Sequence, residues 1–591
     1  MNVTAIDWGI IAAFFVISLL IGLFTAKQAG SSAKEFFLSG RNMPWWLLGV
    51  SMVATTFSAD TPNLVTDIVR KNGVAGNWAW WAFLLTGMLT VFVYAKLWRR
   101  SEVTTDLEFY ELRYSGKGAA FLRAFRAIYL GVFFNVVIMA TVSLAAIKIG
   151  GVMLGLSPIQ TLLIASIVTV VYSSLGGLKG VLLTDFFQFF IAMIGSFGAA
   201  YFILDLPEIG SLNNLLAHEN VADKLNFLPD FTDPNVYIPL FIMPIAIQWW
   251  ATWYPGAEPG GGGYIAQRML SAKDEKNAIG ATLFFNIAHY AMRPWPWILI
   301  ALSSLVIFPQ ISDLQAAFPD IPADKLGDDL AYSAMLTYLP TGLIGIVLAS
   351  LIAAVMSTLS THLNWGSSYI VNDFYLRFVK PEASDKELVS VGRISTVLLM
   401  ALSALLALAL SSALDAFNIL LQIGAGTGLI FILRWFWWRI NAFTEISAMA
   451  ISFVVAIFFE VINPKVNWIL IPENQAYLKL IYSVSITTVG WLLVTFLTRP
   501  EKDEVLLSFY RKVTPAAFGW KKVLDRYPAE KQVMGQLPKE IGLMVIGAVM
   551  IYSALFSTGF FIYGNILSGF IAAAISVAGG VIIIRSWKKL N

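Results

Sequence analysis

A helix that crosses a bilayer needs roughly 20 mostly apolar residues. Fifteen stretches approach or exceed that length: 6–24, 44–66, 77–98, 125–154, 158–175, 181–204, 236–254, 278–308, 340–371, 391–413, 416–438, 443–462, 477–497, 540–557 and 560–584. The pattern predicts an all-α polytopic membrane protein with about 15 transmembrane helices. The first stretch, Ile6–Phe24, has no basic n-region or small-residue cleavage site and is expected to remain as a span.

Two spans break the pattern. Within the second, the stretch Met52–Thr61 and its neighbours place hydroxyls at Ser51, Thr55, Thr56, Ser58 and Thr61 and a carboxylate at Asp60, near mid-depth. A charge there costs at least about 2.5–3.5 kcal/mol, so the segment must face protein or water. Such hydroxyls either bond neighbouring helices or build a solute or ion site, and their density points to the site. The seventh span runs through Gln248, Trp249, Trp250, Trp253 and Tyr254 into Pro255, Gly256, Pro259 and Gly260–Gly263. Prolines remove donors and glycines favour unwinding, so a continuous helix is excluded. The glycines either line a cavity or form a simple loop; the aromatics either pack or wall and gate a solute cavity.

These two interrupted spans lie five apart, which inverts their direction. Interrupted helices at matching places in inverted halves indicate a secondary transporter with a midplane site. The expected organisation is an extra helix and loop at 1–43, repeats at 44–204 and 236–440, an outer loop at 205–235, and accessory helices at 441–591. On the ninth span, Ala354, Ser357, Thr358 and Thr361 share one helix face. Their oxygens are either helix contacts or, with carbonyls freed at a break, a shell for a hard cation such as Na+.

Composition narrows the class. Of 591 residues 58% are hydrophobic and only 13% charged, about half the charged share of soluble proteins. Cysteine is absent and there are three histidines, which excludes disulfides and thiolate metal sites. A net charge of +3 gives no reason to expect a nucleic-acid partner, and nothing points to an obligate protein partner; a small solute, sodium and the bilayer are the expected partners. Most of the 40 Lys and Arg fall on one side if the N-terminus lies outside and the C-terminus inside, in a plasma membrane or bacterial inner membrane. Outer loops near 205–235 and 309–335 should carry short helices. The charged inner segment 499–539 is expected to be partly helical, and its charge run reads as a solvated face near anionic lipid. His218, His289 and His362 form no nucleophile–base–acid set, and Gly260–Gly263 lacks the Lys-Ser/Thr of a phosphate loop. An enzyme is not expected.

The run Tyr172-Ser-Ser-Leu-Gly-Gly-Leu-Lys-Gly-Val-Leu-Leu-Thr-Asp-Phe-Phe-Gln188 resembles a hallmark of the sodium:solute symporter family, Y-x-x-x-G-G-L-x-x-V-x-x-T-D-x-x-Q. Gly345–Asn364 followed by Asp373-Phe-Tyr, Tyr264-Ile-Ala-Gln-Arg268, and Phe36-Phe-Leu-Ser-Gly-Arg41 resemble the family in order and spacing. The resemblance implies a LeuT-type core of 5+5 inverted repeats and sodium-coupled import of a small polar organic solute (sugar, amino acid or carboxylate) by alternating access. It implies a sodium site from the carbonyls of Ala54, Phe57 and Ala354 and the hydroxyls of Ser357 and Thr358, with Asp185 on the exit route. Solute contacts would be Thr56, Ser58, Asp60, Gln248 and Trp250, and Trp253 or Tyr254 would be the inner gate.

Two departures stand out. Ala-Glu-Pro-Gly-Gly-Gly after Trp253-Tyr-Pro-Gly looks like an insertion beside the gate. Arg293-Pro-Trp-Pro sits near mid-depth, where many relatives have a Lys a few residues before Pro. Arg293 would bind a solute carboxylate, pair with Asp60 or Glu258, or snorkel outward. Proton coupling through Asp60 or Asp185, and a transporter-like membrane sensor, are the alternative readings.

Overall fold

The computed structural model describes residues 3–251, 259–319, 326–409, 426–472, 475–530 and 536–587. Among these, eleven helices are long and apolar enough to cross a membrane. The only β contact there is an isolated bridge between Met43 and Ala272. Helix dominates because backbone groups in a bilayer must be satisfied within their own segment.

In chain order the helices are α1 (Ala5–Ala29), α2 (Trp45–Thr56), α3 (Asp60–Asn72), α4 (Val74–Ser101), α5 (Gly116–Gly151), α6 (Pro158–Leu204), α7 (Pro234–Ala246) and α8 (Gly263–Ser271). There follow α9 (Glu275–Ile307), α10 (Leu343–Val379), α11 (Asp385–Ala409), α12 (Ala442–Val466), α13 (Tyr477–Leu497), α14 (Asp503–Val513), α15 (Leu537–Ile562) and α16 (Ile566–Trp587). Fewer long helices than fifteen result because the second and seventh spans are divided into shorter helices and two spans run together in α6. Residues 410–425, which take in the end of the tenth expected span and much of the eleventh, lie outside the described residues.

The 47 residues of α6 would measure about 70 Å as a straight helix, more than twice the hydrocarbon core. The chain turns at Gly177, with φ 53° and ψ −157°. A Cβ there would lie 2.7 Å from the Phe36 carbonyl oxygen, so the Gly-Gly of the run Tyr172–Gln188 meets both a left-handed φ and a close backbone approach.

Around the centre, α6 packs along α1, α2 and α10, and α9 packs against both α2 and α3. The bridge that joins Met43 to Ala272 ties the start of α2 to the end of α8: Met43 N donates to Ser271 O at 3.1 Å, and Lys273 N donates to Met43 O at 3.1 Å. The paired helices α12–α13 and α15–α16 pack on one another. They leave Phe453, Val454, Leu497, Leu567 and Phe570 exposed, an apolar surface suited to lipid. Short helices occupy the two long loops, at Leu212–Ala217 and Ile311–Ala317 among others.

The segment after α13 differs from a solvated charge run. Phe509 of α14 and Trp520 are fully buried, stacked on each other and packed against Phe109 and Trp435. The Arg113 guanidinium lies 5.0 Å over the Trp520 ring. Charged residues occupy one side of this amphipathic stretch and its aromatic side covers the ends of the spans. Three basic residues, Arg113, Arg268 and Arg434, are likewise among the fully buried side chains.

Candidate functional site

The second span breaks between α2 and α3. Pro62 stands in the first turn of α3 and cannot donate to the carbonyl four residues back, so the helix cannot run unbroken through Ser58–Pro62. Phe57 leaves helical geometry at φ −88°, ψ 70°, and its N–H turns to the Ala54 carbonyl at 3.1 Å. The break frees the Thr55 carbonyl, whose usual donor would be the Ala59 N–H. Thr358 of α10 takes it: its Oγ1 lies 2.9 Å from Thr55 O and 3.1 Å from Ala354 O, within its own helix. Ala54, Phe57, Ala354 and Thr358 are thereby gathered at one junction of α2 and α10, all buried.

Ser357, next to Thr358, faces a different partner. Its hydroxyl donates to Asp185 Oδ1 at 2.7 Å. The Ser51 hydroxyl donates to Asp185 Oδ2 at 2.5 Å, and Arg268 Nη2 is 3.7 Å from that oxygen. Arg268 also donates to Thr361 Oγ1 at 2.8 Å and to Gln267 Oε1 at 2.9 Å, while Thr361 and Thr55 share a 2.9 Å hydroxyl contact. Four helices, α2, α6, α8 and α10, meet in this network. The side chains of Asp185 and Arg268 are both completely buried, so each charge depends on the other and on these hydroxyls. Arg268 lies in the sequence run Tyr264–Arg268, but its neighbours Lys273 and Lys276 gave it the look of a loop cation. Pairing with Asp185 depends on tertiary contact and leaves no local periodicity.

The groups that meet at Thr358 are oxygens: its own hydroxyl and the Thr55 and Ala354 carbonyls. Among the described residues no group of three or more His, Cys, Asp or Glu could hold a metal ion. The donor set suits a hard monovalent cation carried as cargo rather than a transition metal.

The expected solute residues fall into two groups. Thr56 and Arg293 meet directly: Arg293 Nη1 donates to Thr56 Oγ1 at 3.3 Å and to Val53 O at 3.4 Å. His289 joins them, with Nδ1 3.2 Å from Thr56 Oγ1 and in hydrogen-bond contact with Arg293 Nη2. The helix widens to π geometry over Ala288–Met292, just before Pro294 and Pro296. Those prolines remove donors that would close ordinary turns, and the wider turn sets His289 over Arg293. Trp80 stands edge-on to His289 at 5.7 Å. Gln248 lies beside this group, its Nε2 donating to Ala79 O at 2.8 Å. In the sequence His289 stands near Arg293 with no partner that defines a reaction; the i, i+4 spacing is the signal that joins the two.

The second group stands apart. Ser58 is buried at the break, whereas Asp60 is exposed and forms no ion pair with Arg293. Trp250 packs on Trp249, 5.6 Å between ring centroids, and Thr86 bonds the Trp249 carbonyl. Trp253, Tyr254 and Glu258 lie outside the described residues. A cavity between α4, the Gly261–Ile265 stretch and α9 is lined by Thr86, Thr90, Thr282, Asn286 and Tyr290 among others.

The model of the sodium:solute symporter family matches residues 36–452. The chain is 27% identical over 480 residues to the sodium/glucose cotransporter of Vibrio parahaemolyticus, covering 77% of this chain and 85% of that one. It is 24% identical over 480 residues to the sodium/sialic acid symporter SiaT of Proteus mirabilis, covering 76% and 89%. A solved Na+-coupled sialic acid symporter in a substrate-bound, outward-open state aligns with a TM-score of 0.68 at 19% identity, over 85% of this chain and 99% of that one. That likeness fixes the fold as the LeuT-type inverted-repeat core.

Proposed function

The chain belongs to the sodium:solute symporter family, a family of transporters and not of enzymes, and from that membership we propose that it imports a small polar organic solute together with sodium. The observation that carries the proposal is the Thr358 hydroxyl joining the freed Thr55 carbonyl to the Ala354 carbonyl, at 2.9 and 3.1 Å. A hydroxyl among carbonyls at a helix break is a short rearrangement away from a sodium shell. The ligands would be the carbonyls of Ala54, Phe57 and Ala354 and the hydroxyls of Ser357 and Thr358.

Sodium at this junction would hold α2 against α10 and steady the broken span. Solute binding at the same break then becomes tighter, which is coupling through differential affinity for one conformation. Thr56, Ser58, Asp60, Gln248, Trp250 and Arg293 would form the solute side, with Trp253 or Tyr254 as the gate. Asp185 offers sodium a charged step on leaving, because Ser357 already bridges it to the junction. The loops near 99–126, 377–393 and 499–530 would face the cytoplasm, and the N-terminus the outside.

The test is thermal unfolding of the purified chain in sodium and in potassium, across sugars, amino acids and carboxylates. A compound that raises the melting temperature only in sodium supports the proposal. Stabilisation by the same compound equally in both salts contradicts sodium coupling.

A further inference from the structure

Arg293 is 1% exposed, and no carboxylate lies within ion-pair distance of it among the described residues. A guanidinium remains charged at any physiological pH, so it cannot escape burial by losing its proton as a lysine can. Buried charges are ordinarily paired, and an ionisable group inside a membrane bundle marks a functional site by default.

Among the described residues, what surrounds Arg293 is neutral. Val53 O and Thr56 Oγ1 accept at 3.4 and 3.3 Å, long for bonds from a cation. A guanidinium has donors only, so the His289 nitrogen it meets must accept; the imidazole is held neutral and adds no negative charge. Phe57 and Trp297 present ring faces at 5.9 and 5.2 Å. The Nε–H is buried and has no hydrogen-bond partner among the described residues. All of this lies against the break that frees the Val53 and Thr55 carbonyls.

Resting on the symport reading above, we infer that the solute carries a carboxylate and that Arg293 receives it, with His289 and Thr56 fixing the guanidinium. The solute supplies the counter-charge that the described residues do not. Neutral sugars of the same size leave the cation uncompensated and bind poorly.

The experiment compares acids with their own neutral forms. Purified full-length protein is melted in sodium with glucuronate, galacturonate and N-acetylneuraminate, with the methyl ester of each, and with glucose and galactose. At least one acid should raise the melting temperature by several degrees while its ester does not. In R293Q the apparent affinity for that acid should fall roughly 10–100-fold, the range for a lost hydrogen bond to a charged group, and R293K should recover part of it. R293Q without solute should melt no lower than the unsubstituted protein, since an unpaired charge has been removed; a structural arginine would make it melt lower. Equal stabilisation by ester and acid, a response to neutral sugars alone, no response to any acid, or unchanged affinity in R293Q overturns the inference. Stabilisation by sodium over potassium without solute is read in the same samples. Its persistence confines the failure to the carboxylate, and its loss extends the failure to sodium coupling.

Discussion

Ser357 donates its hydroxyl to Asp185 at 2.7 Å, across 172 residues of sequence and from α10 to α6. Its neighbour Thr358 bonds the broken end of α2. Adjacent hydroxyls on one helix thus connect the candidate sodium junction to the Asp185 carboxylate, which pairs with Arg268.

The first prediction concerns these hydroxyls. S357A combined with T358A removes two of the expected sodium ligands and one link to Asp185. The sodium-dependent rise in melting temperature should shrink to the level seen in potassium. Unchanged sodium dependence in the double variant contradicts the ligand assignment.

Arg268 and Asp185 depend on each other. Removing one member of a buried pair typically costs about 3–5 kcal/mol, because the remaining charge is left uncompensated. R268Q alone should therefore lower the melting temperature strongly. Combining it with D185N should recover much of the loss. Additive losses would mean that the two residues act independently.

Gly177 tests the turn in α6. At φ 53° and ψ −157° Gly177 holds a backbone conformation essentially confined to glycine, and keeping an L-residue there costs about 1–3 kcal/mol. G177A adds a Cβ 2.7 Å from Phe36 O, whereas G155A, at φ 65°, meets nothing within 4 Å. G177A should reduce the yield of folded protein well below that of G155A, as measured by size-exclusion chromatography in detergent. Equal behaviour would assign the whole effect to φ.

Glu111, in the short helix Phe109–Arg113 before α5, gives a pH-dependent expectation. Burial raises its carboxyl, but hydrogen bonds from Arg377 and Arg123 outweigh that and hold it below its ordinary value of 4.5. A carboxylate whose folded value is depressed stabilises the protein above its unfolded value and loses that contribution as pH falls through the folded one. Because Arg377 is about half exposed, the contribution should stay below about 1 kcal/mol. The melting temperature of the unsubstituted protein should therefore fall slightly more than that of E111Q on acidification below pH 4.5. Parallel curves would remove Glu111 from the account.

Parts of this arrangement are legible without coordinates because they are local. The polar stretch around Asp60 and Pro62 shows a break in the second span, and Pro255–Gly263 shows one in the seventh. Gly176-Gly177 divides what would otherwise be one overlong helix. Other parts are tertiary. Arg268 has the composition of a loop residue, and only packing of α8 against α2 and α10 buries it beside Asp185. Phe509 and Trp520 sit among charges, so their burial under the spans depends on how α14 folds back. His289 gains meaning only when the π turn brings it over Arg293.

Uphill uptake tests sodium coupling most directly. Protein reconstituted into liposomes is given an inward sodium gradient and labelled sugars, sugar acids and amino acids. At least one solute should accumulate above its external concentration, and the accumulation should collapse when the sodium gradient is dissipated. Accumulation that follows an imposed proton gradient and ignores sodium would contradict the account.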